Sequence, residues 1–461
     1  MMITYLNEQQ LEEVGKNLKK SRKLLRYINK VFCFKDIAKS QKDSRKKQHV
    51  ETQVIFTIVF WAFLFRIKSF NQLEQMIKYG CFNPLFPRST KMPSIDAISN
   101  ILAVWDTTQL QKSFQRIIQI LNSNKNFKSG TIDGYTVCAI DGTDIVKSAY
   151  SKCKGCMLMK NGSAYHYVHK SVVAMIIGDE SNYILKYKMA KVKSEEIVKD
   201  KKTYEDLLVT KSEGELTVAM VIIPELPSWV DIVVGDALYF NSPFIKEVLK
   251  HDKHAVIRLK NERTAAYQTM QHQAMYTQSE GSFVVKKSYE KITVSYWAKD
   301  TFISDSTLLK KDPKKHTDIR LFKFIEVIET KINDKENFAF REVFVGTTDK
   351  NMSPESVWQI IHQRWYIENT AFHQLKTQCF MEHCFRHDPT AIEAILGIMF
   401  MSFNLLRSFL FRRSKKFKAS FKKKKETISW FITEVLFELT IVSFLMKCKL
   451  LNKAFLKSMY D

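Results

Sequence analysis

The chain has 461 residues, enough for a sizeable core with one or two insertions, and a hydrophobic share of 45% excludes disorder over most of that length. Lys and Arg outnumber Asp and Glu by 72 to 48, and the resulting charge of +24 points to a polyanion as partner. Nucleic acid leads, because each phosphate met by Lys or Arg releases condensed counterions; an anionic membrane surface is the other polyanion.

No segment reads as a membrane span. Residues 54–65 are too few, and residues 391–411 carry Glu393, Asn404 and Arg407. The opening residues Asn7, Glu8, Glu12 and Glu13 do not suit a secretory signal. Eight dispersed cysteines then read as reduced thiols of a cytoplasmic protein, not as a disulfide framework.

Residues 1–48 form a basic, helical segment in which Lys16, Lys19, Lys20, Lys23 and Arg26 follow helical spacing, so one face suits a DNA backbone; a merely solvated face is the alternative. Residues 49–130 stay helical, with a turn-rich link at 83–94 holding Pro84, Pro87 and Pro93. Short β-like runs follow at 136–141, 171–177 and 183–189, then a polar helix-like stretch at 195–208, then a strand at 230–235. This is the pattern of a mixed α/β sheet, expected over 131–252. Ser242 and Pro243 mark a helix start. Residues 253–347 are mostly strand-like, and the helical period returns over 348–411 from the start signal Ser353-Pro354-Glu355. Residues 412–461 open with nine Lys or Arg in fourteen positions and continue as an apolar helix over 428–446.

Three acids stand out by position. Asp141 ends the apolar run 137–140 and Asp236 ends the run 232–235, so two carboxylates sit at the ends of buried strands. Carboxylates so placed need a cation or a donor, and two on neighbouring strands repel unless a divalent metal lies between them. Glu368 falls on a helix with Arg364 four residues before it and Lys376 eight after it, on one face by the 100° rule. Such hard oxygen ligands with open positions suit Mg²⁺ or Mn²⁺, and two ions can activate an attacking oxygen and stabilise a leaving one. Taken singly, each acid is as well explained as a cap or a surface ion pair; the ordered set of strand, strand and helix favours a site.

Ala139-Ile140-Asp141-Gly142-Thr143, Val233-Val234-Gly235-Asp236-Ala237-Leu238-Tyr239 and Arg364-Trp365-Tyr366-Ile367-Glu368-Asn369 with Phe372 and Leu375-Lys376 resemble the three acidic motifs of bacterial insertion-sequence DDE transposases with a β-strand insertion. The resemblance covers roughly residues 50–410 in order and spacing. It implies an RNase H-like catalytic core interrupted by a mostly β insertion, preceded by an α-helical N-terminal domain and followed by a helical, basic C-terminal region. It implies that Asp141, Asp236 and Glu368 are catalytic and hold two Mg²⁺ or Mn²⁺ ions, while Arg364 and Lys376 bind DNA phosphates. The partners implied are double-stranded DNA, as terminal inverted repeats and target, and a second copy of the chain in a synaptic dimer. The family's usual tyrosine position is Ile361 here, and its lysine position is Leu375, with Lys376 one residue late. By the same resemblance Trp297 could stack on a flipped base; packing in the insertion's core is the alternative. A nuclease that never joins strands and a non-catalytic DNA-binding relic are the other functional classes open.

Cys153, Cys156, His166 and His169 have an order, C-x2-C then H-x2-H, that could hold structural Zn²⁺. Cys379, His383, Cys384 and His387 form a second such set beyond Glu368. Free thiols near a turn are the competing explanation for both.

Overall fold

A computed structural model describes residues 19–412 except 150–152, 162–163, 179–181, 200–205, 261, 263, 288–289, 305–315 and 333–334, and beyond 412 only 432, 435, 436 and 438. Lys16, the basic run after Arg412 and most of the expected helix over 428–446 lie outside the described residues. The chain divides into two compact units: 1–126 with 145–169 and 374–461, and 127–144 with 170–373.

The first unit is mainly helical. Its helices are α1 (Lys19–Phe32), α2 (Phe34–Ser40), α3 (Thr52–Leu64), α4 (Phe70–Lys78), α5 (Ile95–Leu102) and α6 (Thr107–Ser123), with α12 (Pro389–Arg412) near the other end of the chain. Cys33, at φ 50°, takes the left-handed conformation and separates α1 from α2. Ser69, Ser94 and Asp106 cap α4, α5 and α6 by accepting from the backbone N–H three residues on. α3 is buried nearly all round, as its unbroken run of apolar residues requires, and it packs along α12. α12 is apolar and long enough to cross a membrane, and 78% of its most apolar window is buried within the protein, which is how a core helix reads. On α1 the apolar face of Leu24, Leu25, Ile28 and Phe32 is buried, while Lys23, Arg26 and Lys30 remain exposed. Of the expected cationic stripe, Lys23 and Arg26 are thus on the surface of this unit, while Lys16 and the side chains of Lys19 and Lys20 lie outside what is described.

The second unit is built on a large mixed sheet. In chain order its strands are β1 (Val137–Ser148), β3 (Ala164–Ile177), β4 (Tyr183–Met189), β7 (Ile232–Gly235), β8 (His254–Leu259), β9 (Gly281–Lys286), β10 (Glu290–Ser304), β11 (His316–Ile332) and β12 (Lys335–Thr347). Both β1 and β3 run on into the first unit, where β2 (Met157–Asn161) pairs with the start of β3. The spatial order in the second unit is β4-β3-β1-β7-β8-β12-β11-β10-β9. β1, β7 and β8 are mutually parallel, and every pairing from β8 to β9 by way of β12 is antiparallel. Parallel strands are buried on both faces, which explains the continuous apolar runs 137–140 and 232–234. Helices α7 (Glu215–Ile222), α8 (Ser242–Lys250), α9 (Ala265–Tyr276) and α10 (Pro354–Gln363) complete the unit.

One local expectation is overturned. The polar stretch 195–208 is not helical: its described residues belong to a hairpin of β5 (Val192–Lys199) and β6 (Asp206–Ser212) paired antiparallel from Val192↔Ser212 to Lys199↔Asp206. Lys and Glu make such a stretch resemble a helix, but that propensity is weak, and backbone pairing with a second strand overrides it.

Candidate active site

Two of the three acids are placed by strand register. The parallel ladder pairs Cys138 with Val233 and Ala139 with Val234, so continuing it by two residues sets Asp141 opposite Asp236 at adjacent strand ends. Strands lie about 4.8 Å apart, so the two acids stand at neighbouring strand ends, close enough for the Asp236 charge to be felt at Asp141. Asp141 stays within β1, whereas the chain turns after Gly235 and Asp236 caps the short 3₁₀ turn Ala237–Tyr239, its Oδ1 accepting from Leu238 N at 2.9 Å.

Glu368 comes from a different element. After α10 the helix widens into a π turn over Ile367–Phe372 before continuing as α11 (His373–Gln378). Arg364, only 3% exposed, donates from Nη1 to Glu368 Oε1 at 2.8 Å, and the same nitrogen lies 3.7 Å from Asp141 Oδ2. One buried guanidinium thus bridges the first and third acids. Its Nε has no hydrogen-bond partner among the described residues. Arg258 on β8 is half-buried, and its Nε is likewise unsatisfied. Burial first, then Arg364 and Arg341, pull its pKa down, while the charge of Asp236 opposes the shift.

A fourth carboxylate belongs to this cluster and carries no motif in the sequence. Glu215, in the first turn of α7, accepts from the Tyr239 hydroxyl at 2.8 Å, and its carboxyl lies where a Cβ on Gly142 would have to go. A side chain at 142 would have to push this carboxyl aside. Tyr239 is fully buried, and its ring approaches Gly235 so closely that a Cβ there would come within 2.8 Å. Burial, then the Glu215 carboxylate, push the Tyr239 hydroxyl's pKa well up, which keeps it a donor. In the sequence Glu215 is indistinguishable from any first-turn acid of a helix. The residues that seat it, Gly142 and Tyr239, each stand within three residues of a motif aspartate.

The electrostatics centre on Asp141. Its side chain is 15% exposed, and burial pushes its pKa from 3.8 up to about 7; Arg364 pulls it down, and Glu368, Glu215 and Asp236 push it further up. A cluster of hard oxygen donors that resists ionisation for want of positive charge is chemically suited to divalent cations such as Mg²⁺.

The remaining candidates have other partners. Lys376 belongs to the first unit and pairs there with Glu382 at 3.0 Å. Trp297 is buried with Leu259, Met270, Ile319, Leu321 and Phe344, and its Nε1–H donates to Thr277 O at 3.1 Å. It takes the packing alternative; stacking on a base would require it to leave this core. The expected Cys–His quartet changes membership. In the first unit Cys153, Cys156 and His169 gather with His387, and His166 is not among them. Because β3 begins at Ala164, residues 166 and 169 are three apart on a strand and face opposite sides. From the second sequence set only His387 joins; Cys379 is buried with its thiol's pKa pushed up to about 12 by burial.

No curated protein matches the chain. Residues 198–405 match the family model of the transposase DDE domain, a span that contains Asp236, Arg364 and Glu368 and begins after Asp141. That match falls on the residues that hold two of the three acids and their arginine, so this part of the chain is similar to the transposase DDE domain.

Proposed function

We propose that the protein is an active DDE transposase that binds transposon ends, cleaves DNA by metal-dependent phosphodiester hydrolysis and joins the freed 3′ hydroxyls to target DNA. The observation that carries this reading is the convergence of Asp141 and Glu368 on Arg364, with Asp236 at the end of the neighbouring strand, within a unit most of which the family match covers. The strand order β4-β3-β1-β7-β8, with the first aspartate on the central strand, supports an RNase H-like core, and β9–β12 with α9 then form its insertion.

Asp141, Asp236 and Glu368, with Glu215 beside them, would hold two Mg²⁺ or Mn²⁺ ions. Those ions, when bound, supply the positive charge that lowers the barrier to attack at phosphorus. The protein's own groups orient the substrate. Arg364 and Arg258 each keep one buried N–H unsatisfied among the described residues, and a DNA phosphate oxygen is an acceptor suited to such donors. The Tyr239 hydroxyl fixes Glu215, and Gly142 leaves it room. A π turn takes up one residue more than an α turn, which supports Lys376, one position late, as the family's phosphate-binding lysine. The exposed cations of α1 suit the phosphates of the terminal repeats, and two copies of the chain would pair two ends.

Incubating the purified protein with Mg²⁺ and DNA carrying its element's ends tests the proposal. Cleavage and strand joining by the wild type, with neither by Asp141→Ala at undiminished DNA binding, are expected. Cleavage without joining on a pre-nicked end would identify a nuclease, and full cleavage by Asp141→Ala would overturn the site.

A further inference from the structure

We infer that the chain holds a structural Zn²⁺, ligated by the Cys153 and Cys156 thiolates and the Nε2 atoms of His169 and His387. These four side chains come from three places in the first unit: the C-x2-C turn before β2, the strand β3, and the segment leading into α12. His387 is 231 residues from Cys156. Four soft or borderline donors from separated segments meeting at one point is an arrangement that packing alone rarely produces.

The distances lie within a few tenths of an ångström of those of a tetrahedral site for the four contacts below. Bonds of about 2.3 Å to sulfur and 2.0–2.1 Å to nitrogen, at tetrahedral angles, set ligand atoms about 3.3–3.8 Å apart. Here Cys153 Sγ and Cys156 Sγ are 3.6 Å apart. His169 Nε2 is 3.2 Å from the first sulfur and 3.3 Å from the second, and His387 Nε2 is 3.0 Å from Cys156 Sγ. All four ligand atoms lie within 4.8 Å of one another. The sulfurs are far beyond the length of a disulfide, about 2.05 Å. Hydrogen bonding alone serves the cluster poorly. Cys156 Sγ has a sulfur, two imidazole nitrogens and the Cys153 backbone N–H, which donates at 3.3 Å, around it, while a thiol brings one weak proton. A cation at the centre satisfies all four donors at once.

The local chain is shaped for this. Gly155, between the cysteines, has His169 Cε1 and Pro389 Cγ each 3.1 Å from where a Cβ would stand, so the turn presses against both histidine-bearing segments. Four protein ligands leave no open position, which makes the site structural and not catalytic, and distinguishes it from the all-oxygen cluster around Asp141. Its function is to tie residues 153–169 to the entrance of α12, two segments of one unit separated in sequence by residues 170–373. Closing so long a loop removes much of the freedom of the unfolded chain.

The test is the metal content of the full-length protein purified under reducing conditions without added chelator. About one zinc per chain is expected, and replacement by Co²⁺ gives the intense ligand-field and thiolate-to-cobalt charge-transfer bands of a tetrahedral S2N2 site. His387→Asn and Cys153→Ser each lower bound zinc at least about tenfold, whereas His166→Asn retains it. The wild-type cobalt spectrum needs no variant to fold. Zinc below about a tenth of an equivalent with no cobalt bands, a Cys153–Cys156 disulfide in the reduced preparation, or His166→Asn losing metal as His387→Asn does would each overturn the assignment.

Discussion

Replacing Asp141 with Asn should stabilise the metal-free protein at alkaline pH, although it removes a residue of the proposed site. Asp141 has its pKa raised from 3.8 to about 7, because burial and three neighbouring carboxylates outweigh Arg364. The folded state therefore holds a proton that the unfolded state has released, and stability falls as pH rises from about 4 to about 7, then levels off. At about 1.36 kcal/mol per pH unit, the gap corresponds to at most about 4 kcal/mol, little reduced by screening at 15% exposure. Asn does not titrate, and it leaves Arg364 its 2.8 Å partner Glu368. In EDTA, urea denaturation should show Asp141→Asn about 2–4 kcal/mol more stable than wild type at pH 8, the difference shrinking towards zero near pH 4. Adding Mg²⁺ at a hundredfold excess over its Kd should raise the wild type by about 2.7 kcal/mol and leave the variant unmoved. A variant less stable than wild type at pH 8, or a difference equal at pH 8 and pH 4, would refute the electrostatic account.

Four other substitutions probe separate links. Gly142→Ala forces the Glu215 carboxyl aside, so Mg²⁺-dependent DNA cleavage should fall at least about tenfold with circular dichroism unchanged, because the displaced group is a carboxylate of the proposed site. Arg364→Lys keeps a charge beside Asp141 and Glu368 but loses the further N–H donors, the buried Nε among them, that would meet a phosphate; cleavage measured by single-turnover kinetics should drop by at least about tenfold. Glu326 is fully buried and accepts from Trp358 Nε1 at 3.0 Å and His362 Nε2 at 2.6 Å; burial raises its pKa, but His362, Trp358 and Arg341 together hold it below 4.5. Its stabilisation is present above pH 4.5 and lost as pH falls through the lower folded value, so Glu326→Gln should cost about 2–3 kcal/mol at pH 7 by denaturant titration and progressively less below pH 4.5. Trp297→Ala should cost about 3–5 kcal/mol of unfolding free energy without changing the single-turnover rate of the protein that remains folded, as a core side chain does and a base-stacking one does not.

Much of the candidate site's layout is legible in the residues because it is local. An apolar run that ends in a carboxylate specifies a buried strand with an acid at its tip, and Arg364 and Glu368 are one turn apart on a single helix. Those relations depend on period and on neighbours within a few positions. The charge stripe of α1 is legible for the same reason. The sequence by itself therefore determined a mixed α/β chain with Asp141, Asp236 and Glu368 as its notable acids.

Only the tertiary structure decided which distant groups join them. Glu215 and Arg258 look like any helical acid and any strand cation until the sheet brings them beside Asp141 and Asp236. The described residues of 195–208 become strands because a partner strand exists to pair with them. The Cys–His quartet shows the limit most plainly. Spacing alone favoured His166, but a strand turns alternate residues to opposite faces, and the fourth ligand comes from His387, 231 residues from Cys156. Local pattern fixes which way a side chain points on its own element; which elements then meet is a matter of long-range packing that no short window of sequence contains.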